Sequence, residues 1–247
     1  METLSDKNYI PQIAIDCVIF GYENKELKVL VAKLIHKGDF YTIPSGYIGQ
    51  AEDMDAAAQR ILQSRTGLKD IYLEQFRVFG KANRNIKPFL DKLIELNFDK
   101  EYLESLQMRD YDWFAKRTIS IGYYALVDIN KVEPQLTDVD ESIGWYNIHE
   151  LPPMILDYND ITVQALKTLQ SHIDEKLNAF NLLPEKFTMS EIQDIYETIF
   201  EKPFLRTNFQ KKILEFNVLE RLDKKYTGAK NKAPYLYRMK NGSTQNH

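Results

Sequence analysis

The sequence predicts an α/β protein in two parts: an α/β/α sandwich around a mixed sheet, then a small winged-helix domain. Three observations carry this expectation. Strand-like blocks alternate with helix-periodic segments over the first 177 residues, the pattern of helices packed on both sides of a sheet. From Phe187 onward the order becomes helix, helix, strand, basic loop, strand, which is a winged-helix order. Charge is also split. Residues 201–247 hold eleven lysines and arginines against four acids, a net of +7, and the whole chain carries −4, so residues 1–200 carry −11. A basic carboxyl end on an acidic body points to a polyanionic partner.

The elements follow in order. Ile13 to Phe20 alternates loosely as a buried strand, and Leu27 to Ile35 is a second strand after the turn-like Tyr22–Lys25. Phe40 to Pro44 is a short strand. Met54 to Arg65 is a helix with Ala57, Ala58, Ile61 and Leu62 as its apolar stripe. Ile71–Phe79, Thr118–Val127 and Gly144–Tyr146 are further strands, and Ile161 to Leu177 is an amphipathic helix with Ile161, Ala165, Leu166, Leu169, Ile173 and Leu177 in register. Between Asn85 and Arg117 lies an insertion of helical pieces, of the kind that covers a cleft or joins two copies. Within it, Trp113 and Phe114 suit either a lid or ordinary core packing.

Asn178 to Lys186 reads as a linker, dividing residues 1–177 from 178–247. Thr188-Met189-Ser190-Glu191 opens a helix with Ser190 or Thr188 as cap and Ile192, Ile195, Tyr196 and Ile199 as its stripe. Pro203 breaks the chain, and Asn208 is the candidate cap of a second helix. Val218–Leu222 and Pro234–Arg238 are strands flanking the basic loop Lys224–Lys232. Residues expected to meet DNA are Arg206, Thr207, Asn208, Gln210, Lys211 and Lys212 on the second helix, and Lys224, Lys225, Lys230 and Lys232 on the wing.

Composition excludes several classes. Hydrophobic content of 44% and charged content of 28% suit an ordinary globular protein. No apolar run approaches a membrane span, and the start METLSDKNYIPQ lacks a basic-then-apolar segment, so a cytoplasmic protein is expected. Cys17 is the only cysteine, which excludes an intramolecular disulfide or thiolate metal cluster, and His36, His149, His172 and His247 lack ligand spacing.

The densest chemical signal is Gly46 to Leu68. Gly46, Glu52, Arg60, Leu62, Gly67 and Leu68 fall on the fixed positions of G-x5-E-x7-R-E-U-x-E-E-x-G-U, where U is aliphatic. The three remaining glutamate positions hold Ile61, Ser64 and Arg65, which share one helix face. Mg²⁺ requires hard oxygen ligands. A guanidinium about 5 Å from a divalent ion costs roughly 6–7 kcal/mol at an effective dielectric near 20. The expectation is a metal-free, non-hydrolytic site with no cofactor. Glu52, Asp53 and Asp55 suit the first turn of a helix as capping and dipole-complementing acids. Glu52 and Arg60 suit a bracing pair, and Arg65 is either solvated or a direct contact to a ligand's phosphate or carboxylate.

This box resembles that of the Nudix family. With the blocks IDCVIF, IPSGYI, LEQFRVFG and ISIGYYALV, and the carboxyl-terminal FTMSEIQDIYETIF, NFQKKILEFNVLE and YLY, the chain resembles the Nudix-related transcriptional regulators of NAD and sugar metabolism. The resemblance implies a dimeric repressor without hydrolase activity. Its Nudix domain would sense ADP-ribose or a pentose-related sugar through Gly46, Glu52, Arg60 and Arg65, and its winged helix would bind operator DNA. This chain departs from the family in Ser45-Gly46 replacing Gly-Gly, in the long insertion, and in Gln210 on the recognition helix. The rival expectation is an active Mg²⁺- or Mn²⁺-dependent hydrolase of ADP-ribose or another nucleoside diphosphate derivative. It would use Glu52 with a displaced acid, Asp53 or Glu74.

Overall fold

The computed structural model describes residues 6–69, 71–98, 113, 115–225 and 233–240. Its larger sheet contains β1 (Tyr9–Glu23), β2 (Glu26–Leu34), β3 (Tyr41–Thr42), β4 (Ser45–Gly49), β5 (Leu73–Phe79), β6 (Ile119–Val127) and β7 (Asp140–Asn147). The strand order is β3-β2-β1-β6-β5, with β4 also on β1 and β7 also on β2. β1 and β6 run parallel and the other pairs antiparallel, so the sheet is mixed.

Alternation along β1 sends side chains to two separate cores. Ile15, Cys17 and Ile19 face α1 (Met54–Thr66) and meet Ala57, Ala58, Ile61 and Leu62. Val18 and Phe20 face the opposite layer, where α2 (Lys87–Asn97) is followed in chain order by α3 (Tyr158–Lys176). Ile161, Ala165, Leu169 and Ile173 of α3 are buried there, as the register of the sequence requires. Gly67 ends α1 in the left-handed conformation, φ 70°, which glycine adopts without strain.

The smaller domain packs α4 (Met189–Phe200) and α5 (Arg206–Glu215) on a three-stranded sheet, β8-β10-β9, formed by Phe187–Thr188, Tyr235–Met239 and Leu219–Lys224. Thr188, not Ser190, caps α4, in a reciprocal capping box with Glu191. Tyr196, Phe200, Phe204 and Phe209 stack edge to face or tilted beneath the helices.

Several sequence expectations are corrected. The box begins as strand β4, and the final strand runs from Asp140 to Asn147, because both find partners in β1 and β2 that no local pattern reveals. Asn178–Lys186 is not an open linker. Asn178–Leu182 forms a 3-10 turn, and Ala179, Phe180, Leu182 and Leu183 are buried in a core continuous with both domains. Lys224 ends β9 and does not lie in the loop.

Asn208 does not cap α5. The helix starts two residues earlier, with Leu205 at the N-cap position and no side-chain hydrogen bond there. That leucine is 73% exposed. Leu205→Asn is therefore expected to raise stability by about 1 kcal/mol, because the amide oxygen can accept from a free backbone N–H. A urea midpoint that falls or stays fixed in this variant would contradict that reading of the helix start.

Candidate functional site

A cleft of about 410 Å³ opens beside the Gly46–Leu68 segment, between the start of α1, the first strands and the N-terminus of α3. Gly46 lets Ile61 approach closely, since a Cβ on it would lie 3.0 Å from Ile61 Cδ1. Gly46, Arg60, Ile61, Ser64 and Arg65 all line the cleft. The face on which a metal-binding box carries glutamates therefore does look into the cavity, bearing an aliphatic group, a hydroxyl and a guanidinium. The Ser64 hydroxyl donates to the Ile61 carbonyl at 2.8 Å.

Arg65 is neither solvated nor a free cation. It is buried against an equally buried Asp140, to which Nη1 donates, and Nη2 reaches the other carboxylate oxygen at 3.4 Å. Asp140 also accepts from Thr137, at 2.7 Å from the backbone N–H and 2.6 Å from the hydroxyl. Burial pulls the Asp140 carboxyl upward, but Arg65 and Thr137 together outweigh it and hold it below the usual carboxylate range. Any contact between Arg65 and a ligand in the cleft is made by a guanidinium already anchored to the protein.

Glu52 and Arg60 form the expected brace. Arg60 donates from Nε to one Glu52 oxygen at 2.7 Å and from Nη2 to the other at 2.8 Å, and Nη2 also reaches the Tyr47 carbonyl at 2.9 Å. Glu52 accepts from the Gly49 backbone at 3.0 Å. Its carboxyl lies below the usual range, chiefly through the Arg60 hydrogen bonds. Both Glu52 oxygens are thus committed to the loop, and Glu52 is not among the residues lining the cleft.

The other acids near the box are engaged elsewhere. Asp53 occupies the N-cap position of α1 but makes no side-chain cap bond, and Asp55 accepts from the Tyr123 hydroxyl at 2.7 Å. Glu74 is buried on the α3 side, accepting from Tyr124 at 2.6 Å and Tyr72 at 3.1 Å. Neither Asp53 nor Glu74 lines the cleft. Among the described residues, no group of three His, Cys, Asp or Glu side chains converges to hold a metal ion.

A second polar cluster, not anticipated from the sequence, forms the cleft floor. Arg84 is buried and serves two carboxylates: Nη2 donates to Asp16 at 3.0 Å and Nε to Asp157 at 2.9 Å. Its Nη1 donates to the Thr118 carbonyl at 3.1 Å. Ser120 also donates to Asp16. Tyr158 reaches Ser45 Oγ at 3.4 Å, and Tyr47, backed by Trp113 at 4.6 Å between ring centroids, completes the wall. Asp16 was visible in principle as the one acid inside an apolar strand, whereas nothing near Arg84 marked it out.

Burial is the largest influence on Asp16 and pushes its carboxyl up to about 6, against the pull of Arg84 and Ser120. A folded-state pKa above the unfolded value means the native state holds the proton longer. Stability therefore falls as pH rises between about 4 and 6. Asp16→Asn is expected to flatten that part of the stability–pH curve, as denaturant midpoints would show. A variant with the same slope as the parent would contradict the assignment.

The insertion begins over this cleft. Asn85 and Ile86 line it, and α2 docks through Phe89 on Phe40, 5.0 Å between centroids, and through Asn97 to the Lys37 backbone at 2.8 Å. Trp113 is 8% exposed and donates to Asp6 at 2.7 Å, so it packs as a wall. Phe114 lies outside the described residues.

On the smaller domain Arg206, Thr207, Asn208 and Lys211 are exposed on one run of α5, and Gln210 is half-buried beside them. Lys212 is placed differently from the sequence expectation. It turns inward, binding Asp174 of α3 at 2.6 Å and lying 5.4 Å from the Tyr196 ring centroid. Lys224 lies over the Tyr235 ring, and Lys225 pairs with Glu191 at 3.1 Å. Lys230 and Lys232 lie outside the described residues. Among the described residues, no helix is long and apolar enough to cross a membrane.

An α/β/α domain with a degenerate diphosphate-binding box, joined to a winged helix with an exposed polar and basic recognition face, defines a class of ligand-linked DNA-binding proteins. Residues 179–239 match the model of the NrtR DNA-binding winged helix domain. The ADPR responsive transcriptional repressor NtrR of Acinetobacter baylyi is 24% identical over 234 residues, spanning 92% of this chain and 82% of that protein. The crystal structure of Shewanella oneidensis NrtR complexed with a 27mer DNA superposes with a TM-score of 0.72 at 20% identity, covering 94% of this chain and 95% of that one. A MutT/nudix family protein from Enterococcus faecalis shares the fold with a TM-score of 0.66 at 14% identity, over 93% and 86% of the two chains. The chain is a Nudix-related transcriptional regulator with an NrtR-type winged helix.

Proposed function

We propose that this protein is a repressor whose Nudix cleft binds an ADP-ribose-like nucleotide without hydrolysing it, and whose winged helix releases operator DNA in response. The observation that carries this reading is Arg65, a buried cation anchored by Asp140 in the wall where a hydrolytic box places metal-binding carboxylates. A divalent ion beside it would meet strong repulsion. ADP-ribose is the first candidate because the Acinetobacter baylyi relative is described as ADPR responsive. A pentose-related sugar is the second, since the cleft also offers the hydroxyls of Ser45, Ser64 and Tyr158.

The protein acts as a cytoplasmic homodimer reading two related half-sites, with α5 in the major groove and the wing on phosphate. Catalysis through Glu52 is disfavoured by its bidentate hold on Arg60. The test is a thermal-shift titration in EDTA with ADP-ribose, ADP, ribose 5-phosphate and free pentoses. Saturation at about 100 times Kd adds roughly 2.7 kcal/mol of stability. A shift with ADP-ribose in the absence of divalent ions is expected; no shift with any of the four, or turnover on adding Mg²⁺, would contradict the proposal.

A further inference from the structure

Helix α3 touches both the cleft and the recognition helix. At its start, Asp157 holds Arg84 at 2.9 Å, and Tyr158 lines the cleft and reaches Ser45 at 3.4 Å. Near its other end, Asp174 binds Lys212 of α5 at 2.6 Å, and Gln170 donates to the Ile199 carbonyl of α4 at 2.7 Å. Between these ends Ile161, Ala165, Leu169 and Ile173 are buried in the core shared with Ile195, Tyr196, Phe209 and Ile213. From Tyr158 to Asp174 the helix spans about 24 Å at 1.5 Å per residue. One stiff element therefore has a polar contact to the cleft floor at one end and to the DNA-reading helix at the other.

We infer that α3 is the strut through which cleft occupancy reaches DNA, with Asp157 and Tyr158 as its input contacts and the Asp174–Lys212 pair as its output. Lys212 is then a positioning residue, not a DNA contact. A ligand anion in the cleft competes with Asp157 and Asp16 for Arg84. Whatever displacement follows at the N-terminus of α3 is carried as a rigid-body shift, because its apolar face is packed along its length. At the far end the shift is felt by α5 through one short ion pair beside Tyr196. This rests on the proposed effector reading, so the test includes an arm that needs no effector.

The first arm measures hydrogen exchange of residues 206–215 in the full chain. Asp157→Asn loosens the input end and is expected to raise exchange in α5 at least about threefold, and to add nothing when Asp174→Asn is already present. Unchanged α5 exchange, or an equal rise in both backgrounds, would overturn the strut. The second arm takes the ratio of duplex-DNA affinities with and without saturating ADP-ribose, where coupling of about 5- to 150-fold is typical. Asp174→Asn and, independently, Lys212→Met are expected to reduce that ratio at least about fivefold, with DNA affinity in the absence of nucleotide staying within about threefold. Full coupling in both variants overturns the strut and leaves the sensor reading intact. If wild-type DNA affinity ignores ADP-ribose, the effector assignment fails, and the exchange arm alone decides the strut.

Discussion

Replacing Asp140 with alanine is expected to cost about 3–5 kcal/mol of folding stability, because it strands the Arg65 guanidinium without a counter-charge in a buried site. The surviving contacts of Arg65, to Thr137 and the Gln135 carbonyl, are both at 3.5 Å and too long to compensate. Arg65→Met combined with Asp140→Leu is expected to recover most of the loss, since removing both charges removes the desolvation penalty as well. The pH dependence gives an independent check. The Asp140 carboxyl is held below its ordinary range, so its contribution is present above about pH 4 and is lost as pH falls through the folded value. Denaturation curves of parent and Asp140→Ala should therefore converge on acidification below pH 4. A constant difference down to pH 2 would show that the pair is not what stabilises this corner of the fold.

The second large effect is on DNA. Substituting Arg206, Asn208 and Lys211 together by alanine is expected to weaken duplex binding about 10²- to 10³-fold, at about 1–3 kcal/mol for each well-placed base contact. All three are exposed, so the thermal midpoint should hardly move. Each phosphate contact removed should also lower the slope of log affinity against log salt by about 0.9. Fluorescence anisotropy with duplexes from DNA flanking the protein's own gene measures both quantities. An unchanged slope and affinity would mean that α5 is not the reading helix.

What was legible in the sequence was local and periodic. The stripe Ala57, Ala58, Ile61, Leu62 and the stripe Ile192, Ile195, Tyr196, Ile199 are buried as their spacing required, because helix period alone decides which face meets a core. The Glu52–Arg60 brace was also within reach, being a short-range pair inside one motif. Long-range pairing was not. Arg65 meets Asp140 across 75 residues, Arg84 meets Asp16 across 68, and Lys212 meets Asp174 across 38. Such pairs depend on how strands and helices stack, which no spacing encodes. Lys212 shows the consequence: charge pattern alone assigned it to the DNA face, and packing against α3 turns it inward. Leu205 shows another, since the absence of a capping side chain hid where α5 begins.

The most direct test measures duplex-DNA affinity of the full chain during an ADP-ribose titration in EDTA. Nucleotide is expected to loosen DNA at least about fivefold and to be recovered intact. DNA affinity indifferent to nucleotide in EDTA, with nucleotide cleaved once Mg²⁺ is supplied, would contradict a cleft whose buried arginine makes it a sensor.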